Sequence, residues 1–170
     1  YKYNSLKAKL CLRGRNLLYS FCSKYKILNK KIGKLIIQLK NDKSDNLEKI
    51  FNLGIKNGVI DLKYIDNAKL KQLEPNISAT NAILSPSSGI LDTNSFIKTL
   101  EALNIENEVI ISNNSNLTEI NYSNKLWSLI INEDYSFKIK SRIIINSAGL
   151  NSLDISNKFF DNNKLITKPV

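Results

Sequence analysis

The 170-residue sequence contains no His and no Met, and it has only two Cys, Cys11 and Cys22. Without His, these residues offer no imidazole for acid–base catalysis or for metal ligation. Two Cys are too few for a thiolate cluster, so we expect no metal site. Because Met is absent and the sequence starts at Tyr1, we expect a fragment of a longer protein.

Long apolar runs are also absent, since no segment approaches the roughly 20 residues that span a bilayer. No basic segment followed by an apolar one resembles a signal peptide. Hydrophobic residues make up 42% of the sequence and charged residues 24%, which is ordinary for a globular protein. We therefore expect a cytoplasmic protein, attached at most peripherally to the inner face of a membrane.

The net charge of +10 would by itself suggest a nucleic-acid or anionic-lipid partner. However, 22 of the 25 basic residues are Lys, whereas recognition of bases and phosphates favours the bidentate fork of Arg. Lys, Asn and Ile together supply 70 residues, a bias typical of AT-rich codons. We therefore expect no nucleic acid as a partner and keep a basic binding module only as a distant alternative.

The two Cys lie 11 residues apart in one predicted helix, and this spacing places them on nearly the same helix face. They are separated by about 16 Å along the axis, which is too far for a disulfide. We expect both to be buried, reduced thiols.

Hydrophobic periodicity predicts helices in the first part of the sequence and strands in the second. The predicted helices are 5–25, 44–56, a short one capped by Asp66 and ended by Pro75, and one that starts at Thr93 or Asn94. The predicted strands are 34–39, 108–112, 117–121, 126–132, 136–140 and 142–146. Short polar links between the later strands indicate a β-meander.

The segment 142–150 joins an apolar run to small residues. Its three consecutive Ile predict a strand buried on both faces, as in a parallel sheet. Ser147, Ala148 and Gly149 then leave little side-chain bulk before a helical pattern resumes at Leu150. Either the strand end packs closely, or a ligand approaches backbone N–H groups at a helix N-terminus.

The entrance to the first helix carries a candidate anion contact. Lys7 lies in the first turn after Ser5 and close to Tyr1, where a Lys opposes the helix dipole unless an anion is near. The functional interpretation is a lysine that binds a carboxylate, and the alternative is a solvated lysine.

The loop 85–92 is a second candidate. Ser88 and the Gly89 backbone could donate hydrogen bonds to a ligand beneath the loop, or Asp92 could simply cap the helix that follows. No Gly-rich dinucleotide fingerprint follows any predicted strand, so these residues alone cannot hold a dinucleotide by that device.

Taken in order, these segments resemble the flavin-dependent oxidoreductases of the D-amino-acid-oxidase-like superfamily, in particular the L-2-hydroxyglutarate dehydrogenases. The matching residues cover almost the whole sequence in the family's order. They are Tyr1, segment 5–11, Gly14, Leu18, Tyr19, Cys22 and segments 33–36, 57–59, 73–75, 88–92 and 146–150.

The resemblance implies a mixed α/β fold, as a fragment of a two-domain FAD-binding oxidoreductase whose FAD domain is interleaved with a mixed-sheet substrate domain. It assigns residues 1–33 to an FAD-domain helix and the active-site entrance, and 34–106 to the substrate domain. Residues 107–160 become the β-meander, strand and helix of the FAD domain, and 161–170 start the return to the substrate domain. The family's catalytic His is expected upstream, so we expect these residues alone to be inactive.

The cofactor implied is FAD, with contacts at Leu117, Ser147, Ala148 and Gly149. The implied reaction is oxidation of a small 2-hydroxy acid, L-2-hydroxyglutarate, by hydride transfer to flavin, with quinone or oxygen as the open choice of electron acceptor. The alternatives are an amine or amino-acid oxidase and a relative of glycerol-3-phosphate dehydrogenase. The substrate contacts implied are Tyr1, Ser5, Lys7, Ser88, Gly89 and Asp92.

Overall fold

The computed structural model describes residues 1–39, 46–132 and 135–159. The backbone divides into an N-terminal unit, Tyr1–Val109, and a C-terminal unit, Ile110–Val170. In the described ranges, no helix is long and apolar enough to cross a membrane. The same ranges contain no group of His, Cys, Asp and Glu side chains that could hold a metal ion.

The secondary structure alternates in the N-terminal unit and ends in a run of strands and a helix. The helices are α1 (Leu6–Lys24), α2 (Asn46–Lys56), α3 (Asn67–Leu73), α4 (Thr93–Glu106) and α5 (Ser152–Phe159). The strands are β1 (Asn29–Lys30), β2 (Lys34–Gln38), β3 (Lys63–Ile65), β4 (Asn81–Ser85), β5 (Ile90–Leu91), β6 (Asn116–Ser123), β7 (Leu126–Asn132) and β8 (Ser136–Ser141).

Three helices begin at side chains that cap them, as the sequence predicted. Ser5, Asp66 and Asp92 each accept a hydrogen bond from the backbone N–H three residues ahead, at 3.2, 2.7 and 3.1 Å. Each cap satisfies an N–H group that has no partner inside its own helix. The predicted starts of α1, α3 and α4 are therefore confirmed.

A three-stranded antiparallel sheet with the order β2-β4-β3 holds the core of the N-terminal unit. Leu70 of α3 and Ala82 of β4 are 0% exposed, and with Ala79 they form one apolar cluster. Partly buried aliphatic side chains pack around this cluster; they are Leu35, Ile37, Ile65 and Ile77.

Strands β1 and β5 form a separate antiparallel pair, with Asn29 opposite Leu91 and Lys30 opposite Ile90. Strands β1, β3, β4 and β5 were not predicted. Strands of two or three residues are too short to show a period of two, and the buried apolar run in the middle of β4 does not alternate. The β1–β5 pair holds in place the end of the loop between β4 and β5, which carries the predicted substrate contacts Ser88 and Gly89.

The C-terminal unit contains the predicted meander, in the order β6-β7-β8. The first hairpin turns at Asn124 and Lys125, whose φ angles of 52° and 61° are those of a two-residue turn that suits twisted strands. Next to the turn, the rings of Tyr122 and Trp127 pack at 4.7 Å between centroids. The prediction of a meander is confirmed.

Two predicted strands, 108–112 and 142–146, do not form. Ile143 and Ile145 are 73% and 82% exposed, so the expectation of a strand buried on both faces is wrong. A buried parallel strand needs hydrogen-bonded neighbours at both edges. Among the described residues of this unit, the meander strands pair only with one another, and none of them pairs with segment 142–146.

Candidate functional site

The loop between β4 and β5 is held against α1 by polar contacts centred on Ser87. The Ser87 N–H and Oγ–H donate to the two carboxylate oxygens of Asp61, at 3.0 and 3.3 Å. From α1, the Arg15 guanidinium donates to Ser87 Oγ, and the Tyr19 hydroxyl donates to the Ser87 carbonyl oxygen at 2.9 Å. Ser87 thus ties the loop both to α1 and to the segment before β3.

Sequence reasoning missed Arg15, Tyr19 and Asp61. One signal was available, because Arg15 is one of three Arg in a sequence whose other cations are Lys. Arg15 and Tyr19 are also four residues apart, which places both side chains on one face of α1. Nothing in the sequence shows that this face meets Ser87.

Ser88 and Gly89, both predicted substrate contacts, complete the loop. The Ser88 carbonyl oxygen accepts a hydrogen bond from the Gly33 N–H at 2.9 Å. A Cβ on Gly89 would collide with the Lys30 carbonyl oxygen and the Tyr19 hydroxyl. Close packing of the loop therefore accounts for Gly89, whether or not its backbone also contacts a ligand.

Two grooves adjoin this loop, with volumes of about 560 and 350 Å³. The first runs between α1 and the β1–β5 pair, and the second between α1, β2 and α2. Both volumes lie within the usual range for small-molecule sites. Four side chains line both grooves and so form their common wall; they are Cys11, Arg15, Lys34 and Ser88.

The predicted contacts at the start of α1 are only partly brought to these grooves. Tyr1 lines the second groove, and a side-chain hydrogen bond with Cys11 raises the pKa of its phenol. Ser5 serves as the helix cap, and Lys7 Nζ lies 4.8 Å from the centre of the Tyr1 ring without lining either groove. Cys22 is buried, but Cys11 is exposed, so the expectation of two buried thiols is wrong for Cys11 because it lies where the grooves meet.

Asp92 lies outside both grooves, and its contacts are those of a helix cap. The Ser95 hydroxyl donates to the Asp92 carboxylate at 2.6 Å, in addition to the Ser95 N–H at 3.1 Å. These hydrogen bonds hold the pKa of Asp92 below its ordinary value of 3.8. Capping of α4 therefore accounts for Asp92.

The lowered pKa of Asp92 predicts a pH-dependent effect of Asp92→Ala on stability. An ionised cap contributes fully above the pKa of the unfolded chain, and that contribution is lost as the pH falls through the folded pKa. We expect the variant to melt below the wild type at pH 7, with the difference shrinking below about pH 4. Thermal melts of the full-length protein measure this, with Glu101→Ala on the same helix as the control. A melting difference that stays constant down to pH 3 would contradict the assignment.

The predicted cofactor turn is exposed and small. Gly149 has a φ of 58°, and a Cβ built on it would meet no atom within 4 Å. The Asn146 side chain braces the turn, since its Oδ1 accepts from the Ala148 N–H at 3.3 Å and its Nδ2 donates to the Ser152 carbonyl oxygen at 2.8 Å. With Ser147 also exposed, this open backbone fits a cofactor that approaches closely.

Leu117, the other predicted cofactor contact, lies in the edge strand β6. It pairs with Ile131 beside a bulge at Thr118, whose hydroxyl donates to the Ile130 carbonyl oxygen at 3.1 Å. Among the described residues β6 pairs only with β7, so the backbone groups on its other side can face a ligand. Helix α5 packs against β6, and this brings the strand of Leu117 and the helix after Gly149 together.

The whole sequence, residues 1–170, matches the DAO family, described as FAD dependent oxidoreductase. The chain therefore belongs to this family of FAD-dependent oxidoreductases, and the resemblance inferred from its segments is confirmed.

Two curated relatives with the same name are similar to part of the chain. The chain is 43% identical over 115 residues to the mitochondrial L-2-hydroxyglutarate dehydrogenase of Arabidopsis thaliana, a match that covers 68% of this chain and 24% of that protein. The human protein of the same name is 39% identical over 92 residues, covering 54% of this chain and 20% of that protein. The chain thus matches about a quarter or less of the length of these relatives.

Solved structures share the fold at low identity. L-proline dehydrogenase from P. horikoshii gives a TM-score of 0.72 at 16% identity, covering 88% of this chain and 40% of that one. Glycine oxidase from Geobacillus kaustophilus gives 0.73 at 12% identity, covering 93% and 44%. These likenesses establish the fold alone, and they confirm the predicted mixed α/β class.

Proposed function

We propose that the protein oxidises L-2-hydroxyglutarate to 2-oxoglutarate. The observation that carries this proposal is the 43% identity over 115 residues to a relative named L-2-hydroxyglutarate dehydrogenase. Oxidation removes a hydride from Cα and a proton from the hydroxyl, which leaves the 2-oxo acid. When bound, FAD supplies the acceptor for the hydride.

The described residues would contribute binding rather than proton transfer. The open turn at Ser147, Ala148 and Gly149 supports a backbone contact to FAD, and the free side of β6 supports one near Leu117. For the substrate, the groove shared by Tyr1 and Ser88 supports contacts from those two side chains. Ser5 and Asp92 also cap helices, and Gly89 also packs closely against Lys30 and Tyr19, so each proposed substrate contact has a structural role as well.

A substrate panel tests the proposal. The full-length protein, purified with its flavin, is assayed with an artificial electron acceptor on L-2-hydroxyglutarate, its D-enantiomer, L-proline, glycine and glycerol 3-phosphate. We expect kcat/KM for L-2-hydroxyglutarate to exceed the others by roughly 100-fold or more. A site built for polar groups rejects analogues that lack one of them, and the D-enantiomer turns its Cα–H away from the flavin when its carboxylates are held in the same places. A higher value for an amino acid or for glycerol 3-phosphate would overturn the proposal.

Lys7 is the predicted partner of one substrate carboxylate. A charge-assisted hydrogen bond is worth about 1.5–3 kcal/mol, so Lys7→Ala should raise KM for L-2-hydroxyglutarate by more than about tenfold. Initial-rate kinetics of the full-length enzyme measure this. Lys9→Ala, which removes an exposed charge from the same helix, is the control. An unchanged KM in the Lys7 variant would remove Lys7 from the site.

The electron acceptor is proposed to be a quinone or oxygen. Hydrogen peroxide formed in step with 2-oxoglutarate would identify oxygen. A turnover rate that depends on added quinone would identify a quinone, and it would favour peripheral attachment to a membrane.

A further inference from the structure

The common wall of the two grooves carries two cations. Arg15 and Lys34 line both grooves, together with Cys11 and the Ser88 hydroxyl. No Asp or Glu of the described residues lines either groove. The two grooves therefore meet at a place where positive charge is concentrated, and Asp61, the carboxylate of this network, lies behind Ser87 and outside both linings.

Neither cation is neutralised within the described ranges of the chain. Arg15 contacts neutral groups, donating to Ser87 Oγ and, at 3.4 Å, to Asn16 Oδ1. A guanidinium has five N–H donors, so further donors remain for a ligand. Lys34 is exposed at the start of β2, and no described carboxylate forms an ion pair with either side chain.

The nearest carboxylate in this network is Asp61, and it is already engaged. Asp61 accepts both the N–H and the Oγ–H of Ser87. Because Ser87 Oγ gives its proton to Asp61, its lone pairs face Arg15 and hold the half-buried guanidinium in place. A cation oriented in this way loses little conformational freedom when it binds an anion.

Other groups around the wall reinforce its positive character. Lys31 Nζ lies 4.7 Å from the centre of the Tyr19 ring, and Tyr19 lines the first groove. The Tyr19 hydroxyl already donates a hydrogen bond to the Ser87 carbonyl oxygen. The two cationic donors of the wall, Arg15 and Lys34, favour a carboxylate over a neutral ligand.

We propose that Arg15 and Lys34 bind one carboxylate of a dicarboxylic acid. This inference rests on the proposed function, and the carboxylate is the one of L-2-hydroxyglutarate that is remote from the carbon being oxidised. The pair would thereby select dicarboxylic over monocarboxylic 2-hydroxy acids.

The test measures binding and turnover in the full-length flavin-loaded protein. Glutarate, which has no hydroxyl to oxidise, is titrated calorimetrically into the wild type, Arg15→Gln, Lys34→Gln and the matched control Lys9→Gln. We expect each groove variant to weaken the Kd for glutarate by about tenfold or more, and Lys9→Gln to leave it unchanged. With L-2-hydroxybutyrate, a monocarboxylic 2-hydroxy acid, kcat/KM should fall in the two groove variants by a much smaller factor than kcat/KM for L-2-hydroxyglutarate does.

Arg15 also holds Ser87, so a displaced loop could mimic the loss of a binding group. Ser87→Ala removes that tie and keeps the charge, and we expect it to weaken glutarate binding less than Arg15→Gln does. Lys34→Gln provides an independent check, because the exposed Lys34 side chain has no tie to the loop. If Ser87→Ala matches Arg15→Gln and Lys34→Gln has no effect, the inference is overturned.

The outcomes separate this inference from the proposed function. Oxidation of L-2-hydroxyglutarate with unchanged glutarate affinity in both groove variants would overturn the inference and leave the proposed function standing. Glutarate binding that both variants lose, in a protein that does not oxidise L-2-hydroxyglutarate, would overturn the proposed function and retain the dicarboxylate site. A wild-type protein that does not bind glutarate would overturn the inference.

Discussion

Replacing Leu70 with Ala is expected to lower the free energy of unfolding by about 2–5 kcal/mol. Leu70 is 0% exposed and packs between α3 and the sheet β2-β4-β3. Its buried partners Ala79 and Ala82 are small and fill little of the space, so the truncation leaves a cavity as well as losing apolar contacts.

Urea unfolding of the full-length protein measures this loss. Leu73→Ala is the matched control, because Leu73 lies on the same helix but is 43% exposed. We expect the control to cost well under half as much. Equal losses in the two variants would show that Leu70 is not at the centre of the core.

Gly89→Ala is expected to destabilise the protein by about 1–3 kcal/mol, the usual cost of adding a group to a closely packed place. The new methyl would collide with the Lys30 carbonyl oxygen, which belongs to backbone paired with β5, and with the Tyr19 hydroxyl that holds Ser87. Relief of the collision must move the loop that adjoins both grooves. We therefore expect weaker substrate binding as well as lower stability.

Gly14→Ala is the control for that substitution. Gly14 lies inside α1, and a Cβ there would meet nothing within 4 Å. Ala in a helix interior is favoured over Gly by about 0.5–1 kcal/mol, so this variant should be more stable than the wild type. Chemical denaturation of both variants shows whether the two substitutions change the free energy of unfolding in opposite directions. A Gly89→Ala variant as stable as the wild type would contradict the packing argument.

The sequence predicts those parts of the fold whose causes are local. The starts of α1, α3 and α4 follow from Ser5, Asp66 and Asp92, since a cap acts over only three residues. The meander follows from alternating side chains and short turns, which also act between neighbours.

The other parts of the fold depend on contacts between residues far apart in the sequence, and local patterns do not show which residues meet. An apolar run such as 142–146 shows that residues could be buried, but not which strand would pair with them, and here Ile143 and Ile145 are exposed. Likewise, Arg15 and Ser87 are 72 positions apart, and no periodicity relates them. The resemblance therefore predicts which segments form the candidate site. The folded structure is needed to show that Arg15 and Lys34 both line its grooves.

One anaerobic measurement tests most directly whether the protein is an FAD-dependent oxidoreductase that acts on L-2-hydroxyglutarate. One equivalent of L-2-hydroxyglutarate is mixed with the full-length flavin-loaded protein in the absence of oxygen, and the visible absorption of oxidised flavin is followed. We predict that this absorption bleaches and that one molecule of 2-oxoglutarate forms for each flavin reduced. A flavin that dithionite reduces but that L-2-hydroxyglutarate leaves oxidised would contradict the proposed function.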